Sequence, residues 1–424
     1  MSTDALLNDQ TFANTAVPTG SNQRRLHVCM LVYSFYETDT RVLQYATSLA
    51  ERGDIVDVIA LQRGPDLPVY EQVGGVHVHR IQSRIVNEKG IFSYATRILR
   101  FAWISALFLA KKQREHPYDV VHVHNVPDFL VFSALYPKLK GSRIVLDIHD
   151  LLPELYGSKF GIVNTSPLFR LLVGFERASA VFANHVIIAN HPWRERYVGR
   201  SCRADKCSVV RNRPDLAIFQ KCSARSETDH GKFLLTYPGS LNEHQGLDVA
   251  IRAFASVADR MPNAEFHIYG EGTAKPALIT LTRELSMQQR ILFRNYLPSK
   301  DIAQVMANTD LAIEPKRSTS SFGNEALSTK ILEFMSLGVP VIASHTTVHA
   351  FYYDRSIIQY YENDDPSLLA YQILRLYNDT ALRRALAERA KEYALNNSWN
   401  SRKHEYLGLI DSLVLADRKP ALVL

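Results

Sequence analysis

Nothing in the first half of this 424-residue sequence runs apolar long enough to cross a bilayer. Its most apolar stretch, Phe101–Ala110, is interrupted by Ser105, and a membrane helix needs about 20 residues. No span is expected elsewhere. Cysteine is scarce: Cys29, Cys202, Cys207 and Cys222 form no CxxC pair and have no nearby pair of histidines, which argues against zinc. So few thiols in so long a chain point to a reducing compartment rather than a disulfide framework. Residues 1–23 lack the apolar segment of a secretory signal and read as a disordered leader. The expected location is the cytoplasm, with peripheral contact on the inner face of the membrane. Acidic excess is also missing. The net charge is +6, and the first 230 residues carry 28 Lys and Arg against 22 Asp and Glu, the remainder 21 of each. That asymmetry fits a plain solvated surface, or an acidic partner such as anionic lipid or a phosphorylated acceptor. No nucleic-acid partner is expected.

What is present is an alternation. At roughly 100–200 residues per domain the length allows two or three domains. Leu26–Tyr33 is almost continuously apolar, as a strand buried on both faces should be. A helical segment, Arg41–Arg52, stops at Gly53, and strand-like runs follow at Ile55–Leu61, Val76–Ile81, Asp119–His124, Arg143–His149 and His185–Asn190. The pattern pauses near Asn212–Pro214. It resumes with strands at Phe233–Gly239, Ala264–Gly272, Asp310–Pro315 and Val339–Ala343. Strands alternating with helices predict mostly parallel sheets, here two Rossmann-like halves. The expected units are residues 24–215, a linker at 216–232, residues 233–395, and a helical tail at 396–424 that packs back on the first half.

In open α/β sheets ligands bind beyond the carboxyl ends of strands. The segment Glu325-Ala-Leu-Ser-Thr-Lys-Ile-Leu-Glu333, followed by Phe334-Met-Ser-Leu-Gly-Val-Pro-Val341, lies between two strands. Ser328 is a good N-cap type and Gly338 a usual helix stop. A helix starting near Ser328 leaves Glu325 in a loop and puts Glu333 one to two turns in, with the carboxylates on the order of 10 Å apart. Carboxylates accept from paired hydroxyls, so one can hold a sugar and the other a ribose, with the helix N-terminus facing a diphosphate. Two ordinary surface glutamates are the alternative reading.

This stretch resembles the signature of the family-4 retaining glycosyltransferases, which have the GT-B fold. The resemblance covers roughly Leu26–Ser398, loosely in the first half. It implies an α/β protein of two Rossmann-like domains facing across a cleft, followed by C-terminal helices. It implies a retaining enzyme that moves a sugar from a nucleotide-diphosphate donor to a glycan or lipid-linked acceptor in bacterial-type polysaccharide or glycoconjugate synthesis. The first domain would hold the acceptor, the second the donor. Glu325 would lie at the donor sugar and Glu333 at the ribose. Gly239 would sit at the nucleotide-sugar cleft, Gln245-Gly246 at a helix start, and Tyr296 and Leu297 beside the base. His149 would point at the sugar or its leaving phosphate, although Asp147–Asp150 also reads as a plain turn.

The sequence departs from the family in its cations. An Arg and a Lys that usually hold the diphosphate are Ser240 and Gln245 here, and a family glycine is Ser328. Lys330, Lys316 and Arg317 are the candidates to replace them, with Lys330 first and Thr329 beside it. A lysine in a first helical turn opposes the dipole by roughly 0.3–1 kcal/mol, so Lys330→Met should leave stability unchanged or slightly higher. For the acceptor side the candidates are Asp39, with Asp39 or Thr40 as the helix cap, Arg41, able to reach an anion, and His124 and Asn125, lining the same cleft. No metal or other cofactor is expected, because the cleft motifs contain no DxD-type acidic pair; Asp364 and Asp365 read as remote. A nucleotide-sugar epimerase, a phosphorylase of the same fold, or a non-catalytic sugar-nucleotide-binding protein are the alternatives. Finally, Arg97, Arg100 and Lys111 fall on one face of a helix over Tyr94–Arg114, with Ile104 and Phe108 beside them. That face suits an anionic membrane surface, or else a buried helix with snorkelling ends.

Overall fold

The computed structural model describes residues 24–84, 91–219, 222 and 231–415. The leader at 1–23 and most of the 216–232 linker lie outside the described residues. The first sheet has eight strands: β1 (His27–Val32), β2 (Ile55–Gln62), β3 (Tyr70–Val73), β4 (Val76–Ser83), β5 (Val120–His124), β6 (Arg143–Ile148), β7 (His185–Ile188) and β8 (Cys207–Val209). Their order is β3-β4-β2-β1-β5-β6-β7-β8, and only the β3–β4 pair is antiparallel. The second sheet has β9 (Phe233–Pro238), β10 (Ala264–Tyr269), β11 (Ile291–Arg294), β12 (Leu311–Glu314), β13 (Val341–Ser344) and β14 (Gln359–Tyr361). These run parallel in the order β11-β10-β9-β12-β13-β14.

The two Rossmann-like sheets expected from the alternation are therefore present. The sequence reading missed β3, β8, β11 and β14. All four are edge strands of three or four residues, flanked by solvent on one side, so no long apolar run marks them. Central strands do carry that mark: Val28–Val32 are all buried. Each sheet reverses its strand order once, between β1 and β5 and between β9 and β12, which leaves a crevice at the carboxyl ends there.

The last helix, Trp399–Leu415, packs on the first domain. Its Tyr406 ring stacks on Tyr45 at 3.9 Å between centroids, and its hydroxyl meets His122 Nδ1 at 3.0 Å. Trp399 Nε1 donates to Ser48 Oγ at 2.9 Å, and Asp411 accepts from Arg52 at 2.8 Å. The chain thus crosses between the domains twice, and the helix from Thr40 to Arg52 is held from behind by the C-terminus. Tyr406→Ala should cost roughly 3 kcal/mol or more in urea unfolding, because it opens a cavity and strands the imidazole of His122. A loss below about 0.5 kcal/mol would mean that the tail does not brace the first domain.

Candidate active site

Both switch points open onto one cleft. A cavity of about 320 Å³ lies there, lined from the first domain by Asp39, Arg41, Gln44 and His149 and from the second by Ser299, Thr329 and Glu333, with Asn212–Asp215 and Phe219 at the crossing. Residues read from sequence as acceptor-side and donor-side thus face each other.

On the first-domain wall, Asp147 is fully buried at the end of β6. Burial alone would raise its pKa, but Arg41 and then His149 hold it well below the usual carboxylate range. Arg41 binds it with two nitrogens, each at 2.7 Å, and also donates to Val210 O and Asn212 Oδ1. This corrects the reading of Arg41 as a free anion-binding group. Its guanidinium backs the cavity but is committed to a buried carboxylate. His124 and Asn125 are corrected likewise. Both are buried, neither lines the cavity, and both stand behind His149. His124 Nδ1 lies 3.0 Å from His149 Nε2 and 3.2 Å from Asp147 Oδ2. Asn125 Oδ1 accepts from the His149 N–H at 2.7 Å, and its amide donates to Asp128 and to Asp150 O. Burial keeps His124 neutral, whereas Asp147 outweighs burial at His149 and raises its pKa. Of the two histidines, His149 is the one whose protonated form the buried carboxylate favours, and it is the one that lines the cavity. Asp39 caps the helix at Val42 N, as expected.

His122, His124 and Asp147 bring ligand-type atoms within 4.8 Å of one another, a spacing that could hold a cation. Arg41 already occupies Asp147, so a metal ion there would face a buried guanidinium.

On the second-domain wall, Gly239 follows β9 at φ +154°, and a Cβ there would lie 3.0 Å from Lys330 Nζ and 3.1 Å from the Tyr237 hydroxyl. Gly246, at φ +66°, passes so close to the 315 carbonyl that a Cβ would stand 2.1 Å from its oxygen. The helix Thr329–Ser336 starts where expected, with Ser328 in the cap position, but the Ser328 side chain makes no capping bond. Lys330 is not a solvated lysine. Its Nζ lies 3.1 Å from Glu314 Oε2 at the buried end of β12 and 3.2 Å from the Tyr237 hydroxyl. Burial favours the neutral amine, yet Glu314 outweighs it and raises the pKa. Lys316 is buried and donates to Ala326 O at 2.6 Å, with its pKa pulled down to about 8 by burial against the pull of Glu314. Arg317 pairs with Asp248 at 2.6 Å. Burial raises the pKa of Glu333, against a bond from Thr329 and the charge of Lys330. Gln245 is buried and reaches Ser240 Oγ at 3.3 Å, whereas Tyr296 is 64 % exposed, with Leu297 half-buried next to it.

Two placements differ from the sequence reading. Glu325 closes a short helix, Ser321–Glu325, rather than lying in a loop, and its carboxylate meets Arg196 of the first domain. Asp364 is not remote: it accepts from the backbone and hydroxyls of Ser318 and Thr319, beside Arg317. Glu314 and Arg196 escaped the sequence because each acts through a partner distant in the chain, and neither carries a motif.

The Lys330–Glu314 pair reverses the stability expected for Lys330→Met. Removing the amine leaves Glu314 charged and buried, so the substitution should destabilise by about 3 kcal/mol. Glu314→Gln in the same chain should restore part of that loss. Equal urea stability of Lys330→Met and wild type would contradict the pairing.

Comparison with known proteins agrees with this geometry. Residues 219–393 match the family described as Glycosyl transferases group 1, and residues 38–213 match the Glycosyl transferase 4-like domain. The chain is 26% identical over 392 residues to a D-inositol 3-phosphate glycosyltransferase of Nocardiopsis dassonvillei, covering 86% of this chain and 87% of the relative. Among solved structures, sucrose-phosphate synthase of Thermosynechococcus elongatus superposes with a TM-score of 0.74 at 18% identity, over 92% of this chain and 100% of that one. Anabaena HepE in complex with UDP and glucose gives 0.70 at 16% identity with the same coverage. With both domains matched and the two sheets arranged as in these structures, the chain belongs to the family-4, group 1 glycosyltransferases and has their GT-B fold.

Proposed function

We propose that this glycosyltransferase moves a sugar from a nucleotide-diphosphate donor to a glycan or lipid-linked acceptor with retention of configuration, in polysaccharide or glycoconjugate synthesis. The observation that carries the reading is the single cavity that brings Glu333 and Thr329 against His149 and Asp39. In this reading Glu333 accepts from the ribose hydroxyls, and Tyr296 and Leu297 flank the base. The N–H groups of the Thr329–Ser336 helix, left free by Ser328, meet the diphosphate. Lys330 supplies the cation that Ser240 and Gln245 cannot, with Lys316 and Arg317 behind it. It stands at the Gly239 turn, where a diphosphate would pass, and a phosphate there competes with Glu314 for the ammonium. His149 donates to the sugar or its leaving phosphate. The chemistry needs no metal, since the leaving charge meets a helix N-terminus and cations. Donors built on UDP are the first to test, because HepE was solved with UDP and glucose. The relative named for inositol 3-phosphate favours a phosphorylated acceptor.

A membrane-bound acceptor is favoured by one further observation. No helix of the described residues is long and apolar enough to span a membrane. Yet Leu99, Trp103 and Leu107 expose one face of the Ile91–Glu115 helix, and Phe132, Leu135 and Leu139 continue it across a shallow groove of about 500 Å³. Leu168 and Leu171 on the neighbouring Pro167–Phe182 helix are also exposed. The apolar face is thus rotated from the expected one: Ile104 is half-buried, and Phe108 packs on the core against His79. The exposed charges among these side chains are mainly basic, Arg100, Lys111, Lys140 and Arg170. Apolar side chains rimmed by cations suit an anionic bilayer.

Two measurements test these readings. Glu333→Ala should raise KM for the donor with little change in kcat, whereas Glu325→Gln should lower kcat about a hundredfold. Wild-type kinetics in both would end the assignment. In vesicle flotation, the protein should rise with anionic but not neutral vesicles at low salt, and Trp103→Ser with Arg100→Ser should stay at the bottom. Equal, negligible flotation with both vesicle types would remove the membrane from the account.

A further inference from the structure

The segment that carries Glu325 belongs to the second domain by sequence but packs on the first. Phe322 and Ala326 sit in the first domain's hydrophobic core, and the Phe322 ring lies 6.1 Å from Trp193. Trp193 is on the helix His191–Arg200, whose capping residue Asn190 does two things at once. Its Oδ1 accepts from Trp193 N at 2.8 Å, and its Nδ2 donates to the backbone oxygen of Glu325 at 3.1 Å. Two turns along the same helix, Arg196 Nη2 donates to Glu325 Oε1. That guanidinium is steered by Glu154, whose Oε1 accepts from Arg196 Nη1 at 3.3 Å. Glu154 is itself fixed by Arg200 at 2.6 and 3.0 Å, and Arg200 by the buried Glu176 at 2.7 and 2.9 Å. The other oxygen of Glu325, Oε2, is buried and has no hydrogen-bond partner among the described residues. A buried carboxylate oxygen without a donor is costly unless a ligand supplies one.

We infer that Arg196 is a positioning residue for Glu325: reaching across the cleft, it holds Oε1 so that Oε2 is left as the acceptor for a hydroxyl of the donor sugar. The inference rests on the reading of Glu325 as the sugar carboxylate. It adds that the aim of this carboxylate depends on the first domain, so the sugar contact is complete only while the domains are closed. The nucleotide contacts at Glu333 and Lys330 make no such demand, because neither pairs with a first-domain residue among the described residues.

The charges around Glu325 give the inference a signature. On the first-domain side it faces Arg196 and Arg200 from one helix and Glu154 from the Leu152–Phe160 helix. From its own domain, His244 and Glu243 lie on the turn packed against its helix, and His349 on the neighbouring Thr347–Tyr352 helix. Burial keeps both His244 and His349 neutral near pH 7, with pKa values of about 4, so the guanidiniums are the cations that matter. Burial raises the Glu325 pKa, Arg196 opposes that rise, and Glu154 adds to it. Without Arg196 the pKa rises further. The carboxylate then protonates at a higher pH, and the acid limb of the kcat/KM profile moves up.

The test compares Arg196→Met, Arg196→Lys and Glu325→Gln. Calorimetry measures binding of UDP-glucose and UDP, then the GDP, ADP and dTDP pairs, and donor turnover is followed from pH 5 to 9. Arg196→Met should weaken the nucleotide sugar about tenfold, leave the matching diphosphate within about twofold, and raise the acid limb by about one pH unit. Arg196→Lys should recover part of each change. If Glu325→Gln loses the preference for sugar over diphosphate while Arg196→Met keeps both preference and acid limb, the role of Arg196 is refuted and that of Glu325 stands. Equal weakening of sugar and diphosphate by Arg196→Met would make it a structural clamp, which also refutes the inference. If Glu325→Gln leaves sugar affinity unchanged, or wild type binds none of the four pairs, both readings fall.

Discussion

Each domain of this protein is organised around a carboxylate buried at the end of a parallel strand, and a buried carboxylate must be matched by a cation. In the first domain the acid is Asp147 on β6 and the cation Arg41; in the second it is Glu314 on β12 and the cation Lys330. Each cation is the second residue of a helix that begins at the cleft, where the helix dipole disfavours it. The acid holds it there. The arrangement therefore keeps positive charge at two helix starts that face one crevice, which is where the proposed diphosphate would need it. The same demand raises the pKa of His149, beside Asp147, and holds Lys330 against Glu314.

The two walls differ in how they use the pair. Arg41 is consumed by Asp147, Val210 O and Asn212, and so acts as part of the scaffold that steadies His149. Lys330 has fewer commitments, an acid and a phenol, and lies against the Gly239 backbone. In the proposed function it would turn toward a phosphate without unravelling a network. The second domain thus carries the adjustable cation, and the first carries fixed groups that reach Glu325 through Arg196.

Much of the fold was legible in the sequence, because strands buried on both faces must be largely apolar. That constraint exposed β1, β5, β6 and β9 and left the edge strands silent. The Glu325–Glu333 spacing with its Gly-Val-Pro-Val continuation marked the second-domain side of the cleft, since a motif of neighbouring residues survives in one dimension. The first-domain side is less legible. Arg41, His124 and Asn125 end strands or start a helix, which places them near the cleft, but their partners lie from three to 171 residues away, and only the folded chain shows that Arg41 and Asn125 are engaged by those partners and that His124 is buried behind His149. The exposed face of the Ile91–Glu115 helix differs from the expected one for a related reason. Helical periodicity gives the angle between side chains, not which angle faces the core, and the packing of the 128–139 segment decided that.

The central claim is that the crevice between the two sheets is a nucleotide-sugar site. Thermal unfolding of the wild type with UDP-, GDP-, ADP- and dTDP-sugars tests it most directly. At about 100 times its dissociation constant the true donor should add roughly 2.7 kcal/mol of stability, and the same concentration should add far less to Glu333→Ala. A shift of equal size in Glu333→Ala, or no shift with any of the four, would contradict the account.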